Sequence, residues 1–249
     1  MNSQSIDQSQ IVTFNTGTTK FSGAQINELE SSQYTLCVLC VDSSMSISNF
    51  SHKISKAVKE VVRSLKNSKC SDNLMLRVLN FDRGTNEVHG FTEWNKCDLT
   101  QYDNIFKNLG GNTSLFDATV DGLDSLNTYG KELVDQDYSP VNAILIVITD
   151  GLDNFSTYTV KDVARKMKEG VGETKLESLL SILIGVNIND PQVGIELKNF
   201  ETVGGFDQYI ELDNVTEDSI AKLANFISKS VSAQSSSLGG GSKSQTIAF

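Results

Sequence analysis

Five oxygen-bearing side chains stand where apolar runs of this sequence give way to polar residues. Asp42-Ser43-Ser44-Met45-Ser46 follows the apolar run Leu36–Val41, and Thr149-Asp150-Gly151 follows Ala143–Ile148. Gly110-Gly111-Asn112-Thr113-Ser114 stands directly before a stretch with helical spacing. Asp42, Ser44, Ser46, Thr113 and Asp150 offer two carboxylates and three hydroxyls, with no thiolate or imidazole among them. An all-oxygen set suits a hard cation. Mg²⁺, or Mn²⁺ in its place, takes six oxygens at ~2.1 Å and keeps some of them as water. The alternate spacing of Ser44 and Ser46 lets both hydroxyls turn toward one point from an extended loop. Gly110 and Gly111 remove side-chain bulk, so the backbone carrying Thr113 can approach closely.

Each of these residues also has a plainer reading. A Ser or Asp after a strand is often a helix N-cap, open here to Ser46, Asn49 and Ser51, and Asp-Gly is often a turn. Asp117 reads as a support for the Thr113 loop, and Asp153 as either an outer partner of the set or a solvated side chain. Cys37-x-x-Cys40 could indicate redox chemistry or half a zinc site. The pair lies inside an apolar run, however, where residues three apart on a strand point to opposite faces, so two small buried side chains are expected. His52 and His89 are isolated. Gly241-Ser242-Lys243-Ser244 looks superficially like a phosphate loop, but no strand precedes it and no helix follows.

The elements that must position these residues are legible as hydrophobic periodicity. Leu36–Val41, Ala143–Ile148 and Leu179–Ile184 are near-continuous apolar runs, the signature of parallel strands covered on both faces. Leu74–Phe81, interrupted by Arg77 and Asn80, reads as a strand nearer an edge. Val88–Trp94 follows it so closely that an antiparallel hairpin is expected. Phe206–Leu212 is a last short strand. Between them, Ile54, Ala57, Val58, Val61, Val62 and Leu65 recur at helical spacing. Further helices are expected at Asp103–Leu109, around Leu115–Leu126 with Asp121 and Asp124 on a wet side, around Val160–Met167, at Val193–Phe200 and from Asp218 to Val231. The expected fold is α/β, a doubly wound, Rossmann-like and mostly parallel sheet of about six strands with one antiparallel edge strand and helices on both faces. In such a sheet, ligands bind beyond the carboxyl ends of the strands, where the three polar clusters lie.

Residues 1–33 read as an N-terminal extension, with Ile11–Phe14 and Thr18–Phe21 a candidate edge hairpin. Residues 34–231 form the expected domain, and 232–249 a flexible Ser/Gly-rich tail. The formal net charge of −10 and pI near 4.7 argue against nucleic acid or an anionic membrane as the main partner. Met1–Gln10 shows no secretory signal, and no apolar run approaches the ~20 residues that span a bilayer. A soluble, cytoplasmic protein is the expectation.

Asp-x-Ser-x-Ser, a later Thr in a Gly-rich loop and a later Thr-Asp-Gly, in that order, resemble the metal-ion-dependent adhesion site of von Willebrand factor type A domains. The resemblance covers roughly Tyr34 to Ser230 and points to the stand-alone intracellular type. It implies that Ser44, Ser46 and Thr113 bind the ion directly, and Asp42 and Asp150 directly or through water. It also implies that the strands before Asp42 and Asp150 are neighbours, with Val88–Trp94 antiparallel at one edge. The implied function is a non-enzymatic, metal-dependent module whose protein partner supplies an Asp or Glu to the metal, in a stress, defence or regulatory assembly. Two alternatives stand beside it. One is a Mg²⁺-dependent phosphatase of the haloacid-dehalogenase class, which needs a second Asp two residues after the first, where this chain has Ser44. The other is a metal-independent scaffold. The same resemblance couples the metal site to the last helix, so that Thr246–Phe249 is either a strand for a partner's sheet edge or a disordered end.

Overall fold

A computed structural model of the chain describes residues 11–66, 71–172, 176–188, 190–212, 214–240, 244 and 246–249. Met1–Gln10, Cys70 and Gly241–Lys243 lie outside the described residues. Eight strands form the sheet: β1 (Ile11–Asn15), β2 (Lys20–Ala24), β3 (Tyr34–Asp42), β4 (Leu74–Phe81), β5 (Thr85–Glu93), β6 (Val141–Thr149), β7 (Ser178–Val186) and β8 (Gln208–Leu212). Their order is β1-β2-β5-β4-β3-β6-β7-β8. From β4 to β8 the neighbours pair in parallel, while β5 runs antiparallel to β4.

Every residue of β3, β6 and β7 is buried, as expected of strands covered on both faces. Helices α1 (Ser51–Lys66) and α5 (Glu217–Ser236) cover one face, and α2 (Leu115–Asp135), α3 (Val160–Gly172) and α4 (Pro191–Gly204) the other. Cys37, Leu39 and Val41 of β3 pack into the first core with Ile54, Val58 and Val62 of α1. Leu36, Val38 and Cys40 pack into the second with Leu123 and Leu126 of α2. The two cysteines thus point to opposite faces, and burial pushes both thiols up, that of Cys37 to about 12. They are packing residues. No helix among the described residues is long and apolar enough to cross a membrane.

Several expectations need correction. The sheet has eight strands because the β1–β2 hairpin joins it, and β5 is therefore not an edge. The joint is a single bridge from Gly23 to Phe91, and an ideal Cβ on the neighbouring Gly90 would lie 1.9 Å from the Ser22 carbonyl oxygen. Only a glycine allows that approach. β4 is central rather than near an edge: Arg77 is buried and pairs with Asp121 (3.0 Å) and Glu87 (2.8 Å). Asp121 and Asp124 are accordingly not on a wet side, since Asp124 is also buried and pairs with Lys166 (2.6 Å).

The helix expected at Asp103–Leu109 is instead a 3₁₀ turn at Leu99–Asn104. It is capped by the Asp98 side chain, which accepts from Thr100 N (2.9 Å). Asn80 Nδ2 takes the Ile105 carbonyl, which a continuing helix would need for its own ladder. Helix α5 runs on to Ser236, past the expected end at Val231, because polar residues hold it down. Gln234 Nε2 donates to Ser178 Oγ (2.6 Å), and Asn142 Nδ2 donates to the Gln234 carbonyl (3.0 Å). Of the terminal residues, Ile247 packs against the chain's own first core and Phe249 sits edge-on to Phe226.

Candidate functional site

β3 and β6 are adjacent and in parallel register as far as Val41 and Ile148, so the chain leaves both strands at the same place. Thr149 Oγ1 donates to Asp42 Oδ2 (2.7 Å), and the Ser44 N–H donates to Asp42 Oδ1 (2.8 Å). The hydroxyls of Ser44 and Ser46 are 2.9 Å apart, and Ser46 Oγ donates to Asp150 Oδ1 (2.8 Å). Asp42, Ser44, Ser46 and Asp150 are thereby joined in one chain of hydrogen bonds.

Thr113 arrives through its backbone. Ser44 and Gly110 form a parallel bridge, with Met45 N donating to Gly110 O (2.7 Å) and Gly110 N to Ser43 O (3.2 Å). A Cβ on Gly110 would stand 2.1 Å from Asp82 Oδ2, so the loops meet only because no side chain is there. On its other side Thr113 is clamped by Asn154, whose side-chain Oδ1 accepts from Thr113 N (2.9 Å) and whose N donates to Thr113 O (3.0 Å). Thr113 is buried, and its hydroxyl takes part in none of these bonds.

The third loop also caps α2. The N–H groups of Phe116 and Asp117, left over by the first helical turn, donate to Ser156 Oγ (3.1 and 3.0 Å). Asp117 returns the contact by accepting from Thr157 N (2.9 Å) and Tyr158 N (2.8 Å), a supporting position. Asp153 accepts from Phe116 N (3.3 Å) and from the Ser156 hydroxyl, which makes it a loop anchor rather than a solvated side chain. Thr149, Asn154 and Ser156 escaped sequence reasoning as positioning residues. Of the three, only Thr149 carried a signal, its place in Thr149-Asp150-Gly151.

Burial dominates the electrostatics of the site. Asp42 is fully buried, and burial raises its carboxyl above the ordinary range against the opposing hydrogen bonds from Thr149 and Ser44. Asp150 is raised to about 6, first by burial and then by the Asp42 charge beside it. Neither carboxylate has a Lys, Arg or His partner within ion-pair distance among the described residues. A buried carboxylate beside a partly buried one, without a counter-charge, is costly, and a cation would offset that cost. Beside Thr113, the buried Ser114 hydroxyl lacks a hydrogen-bond partner. Among the described residues no group of three or more His, Cys, Asp or Glu side chains gathers to hold a metal. Any ion here would therefore depend on hydroxyls and water beside two carboxylates, a donor set that fits a hard divalent cation and not zinc.

Residues 37–199 match the family model for the von Willebrand factor type A domain. No curated protein matches the chain. Among solved structures, the pilus adhesin SpaC from Lactobacillus rhamnosus GG in its open conformation is similar at 14% identity, with a TM-score of 0.57, over 80% of this chain and 30% of that one. Proximal thread matrix protein 1 from the mussel byssus is similar at 16% identity, TM-score 0.57, over 81% of this chain and 48% of its own. The PilB minor pilin from Streptococcus sanguinis is similar at 14% identity, TM-score 0.58, over 82% and 62%. The chain thus spans less than two thirds of each, and identities this low establish the shared fold alone.

Proposed function

The chain belongs to the von Willebrand factor type A family, and from that premise we propose that it is a non-enzymatic protein-binding module with a metal-ion-dependent adhesion site. In this reading Ser44, Ser46 and Thr113 hold Mg²⁺, or Mn²⁺ in its place, through their hydroxyls, and Asp42 and Asp150 hold it directly or through water. When bound, the ion supplies an electrophilic position that an Asp or Glu of a protein partner can fill. The observation that carries the reading is the carboxylate pair, Asp42 buried and Asp150 partly buried, joined through Ser44 and Ser46 and lacking a basic side chain.

The chain's own contribution is preorganisation. Thr149 and the Ser44 N–H fix both oxygens of Asp42, while the Gly110 bridge and the Asn154 clamp fix the loops before any partner arrives. Little ordering entropy is then left to lose on binding. Catalysis of the haloacid-dehalogenase kind lacks its general acid, because the residue two after Asp42 is Ser44, itself bonded to Ser46. A metal-independent scaffold leaves the buried Asp42 carboxylate, with Asp150 beside it and no counter-charge, unexplained. The binding domain in this reading runs from β3 through α5, with the β1–β2 hairpin as an extension of its sheet. Membership of this family favours a protein-interaction or adhesion role in general, and a stress or defence role has no comparison behind it. Partner recovery from source cells tests the proposal: binding in Mg²⁺ should vanish in EDTA and in Ser44→Ala. Recovery unchanged by both would place the interaction on another surface.

A further inference from the structure

The described residues include six exposed large apolar side chains: Ile11, Met45, Phe155, Ile195, Val203 and Phe249. Single exposed apolar residues need no explanation. Two of these six, however, stand on the loops that build the candidate site. Met45 lies between Ser44 and Ser46, and Phe155 follows the Asn154 that clamps Thr113. Beside them Asp42, Ser44 and Thr113 are buried, whereas Met45 is 57% and Phe155 52% exposed. The arrangement is a polar floor, recessed at Asp42, Ser44 and Thr113 and open to solvent at Ser46 and in part at Asp150, with exposed apolar side chains on two of its three loops.

We infer that Met45 and Phe155 are partner-contacting residues, and that the segment they select is an Asp or Glu with a large apolar side chain next to it. This rests on the metal-dependent binding reading above and adds the specificity that reading leaves open. Three observations support it. First, the formal net charge of −10 repels an acidic partner at a distance, so affinity must come from short-range contacts. Second, the backbone under both side chains is already fixed. Met45 N donates to Gly110 O (2.7 Å), and Asn154 is bonded to Thr113 in both directions (2.9 and 3.0 Å). With the backbone already ordered, only side-chain freedom remains to be lost when these residues are covered. Third, the nearby loop carries a local positive charge. Arg83 is exposed, and its Nε donates to Asn112 (3.2 Å) once that amide is oriented as its neighbours require. A carboxylate approaching the floor would pass a cation and meet apolar walls. Methionine adapts to varied apolar shapes, which favours a class of flanking side chains over one exact residue.

The test is a random peptide library displayed on phage, bound to the protein in Mg²⁺ and eluted with EDTA. Enriched peptides should carry Asp or Glu beside an aromatic or large aliphatic residue. A synthetic enriched peptide should bind Met45→Ser/Phe155→Ser about tenfold or more weakly, and Ile195→Ser, on α4, as well as wild type. An unchanged circular dichroism melt verifies that the double variant folds, as its exposed positions predict. EDTA-eluted peptides that share an acid but no apolar neighbour would overturn this inference and leave the metal reading standing. So would unchanged peptide affinity in the double variant. No EDTA-elutable peptides at all would overturn the metal-dependent reading, and this inference with it.

Discussion

Replacing Asp42 by Asn separates its two roles, because the substitution is expected to affect folding and metal binding in opposite directions. Asp42 is fully buried and accepts from the Ser44 N–H (2.8 Å) and Thr149 Oγ1 (2.7 Å). Burial nevertheless raises its carboxyl above the ordinary value. The sign follows from linkage. A carboxyl with a raised folded pKa holds its proton longer in the folded state than in the unfolded one. Metal-free stability therefore falls as pH rises from the ordinary carboxylate range, ~3.9, through the raised value, and an ionised Asp42 is a net cost above it. Asn keeps the shape and removes that cost. Its Oδ1 can still accept from Ser44 N, and Thr149 Oγ1 can turn its one proton to Gly151 O (3.1 Å) and accept from the Asn Nδ2. In EDTA the variant should therefore melt at or above wild type. With Mg²⁺ at 100 times its Kd, wild type should gain about 2.7 kcal/mol. For a domain of this size that is a rise of about 5–10 °C in Tm, and Asp42→Asn should show none of it. Scanning fluorimetry in Mg²⁺ and in EDTA reads both quantities. A variant that keeps the Mg²⁺ shift refutes the assignment. One that melts far below wild type in EDTA shows that Asp42 is mainly a hydrogen-bond anchor, each such bond to a charge being worth about 1.5–3 kcal/mol.

The other predictions concern the supports of the site and its protons. Gly110→Ala drives a Cβ against Asp82 and should part the Ser44 bridge, costing about 1–3 kcal/mol of stability in urea unfolding and weakening Mg²⁺ binding in calorimetry; unchanged values would mean the loops do not depend on that approach. Arg77→Met leaves Asp121 buried without its partner and should cost about 3–5 kcal/mol, read by the same unfolding assay, with a loss under 1 kcal/mol contradicting it. Protons compete with the ion for Asp150, whose carboxyl lies at about 6 without metal, so Mg²⁺ affinity should fall as pH drops below that value. An affinity that is flat from pH 7 down to the ordinary carboxylate range, ~4, would contradict the assignment of Asp150.

What the sequence made legible, and what it hid, divides on physical lines. β3, β6 and β7 are apolar along their whole length because helices cover both faces, and that pattern needs no partner to be read. The five candidate residues were legible for a related reason: each follows a strand or precedes a helix, where a parallel sheet gathers its loops. Long-range polar pairing is what composition concealed. Asp121 and Asp124 looked solvated because their partners, Arg77 and Lys166, come from other elements of the chain. Gln234 and Ser235 looked like the start of a loose tail, yet both are buried, Ser235 Oγ donating to Asn73 Oδ1 (3.2 Å). The hairpin was visible as two short apolar stretches. Its attachment, one ladder pair permitted by Gly90 and the bonds of Ser22 to Glu87 on β5, was not.

Calorimetric titration of Mg²⁺ into the EDTA-stripped protein tests the central claim most directly, with wild type compared against Asp42→Ala/Asp150→Ala. Wild type should bind one ion with saturable heat, Mn²⁺ should bind in its place, and the double variant should show no saturable heat while keeping its folded circular dichroism spectrum. Equal binding by the two proteins would contradict the assignment of the ion to this carboxylate and hydroxyl set.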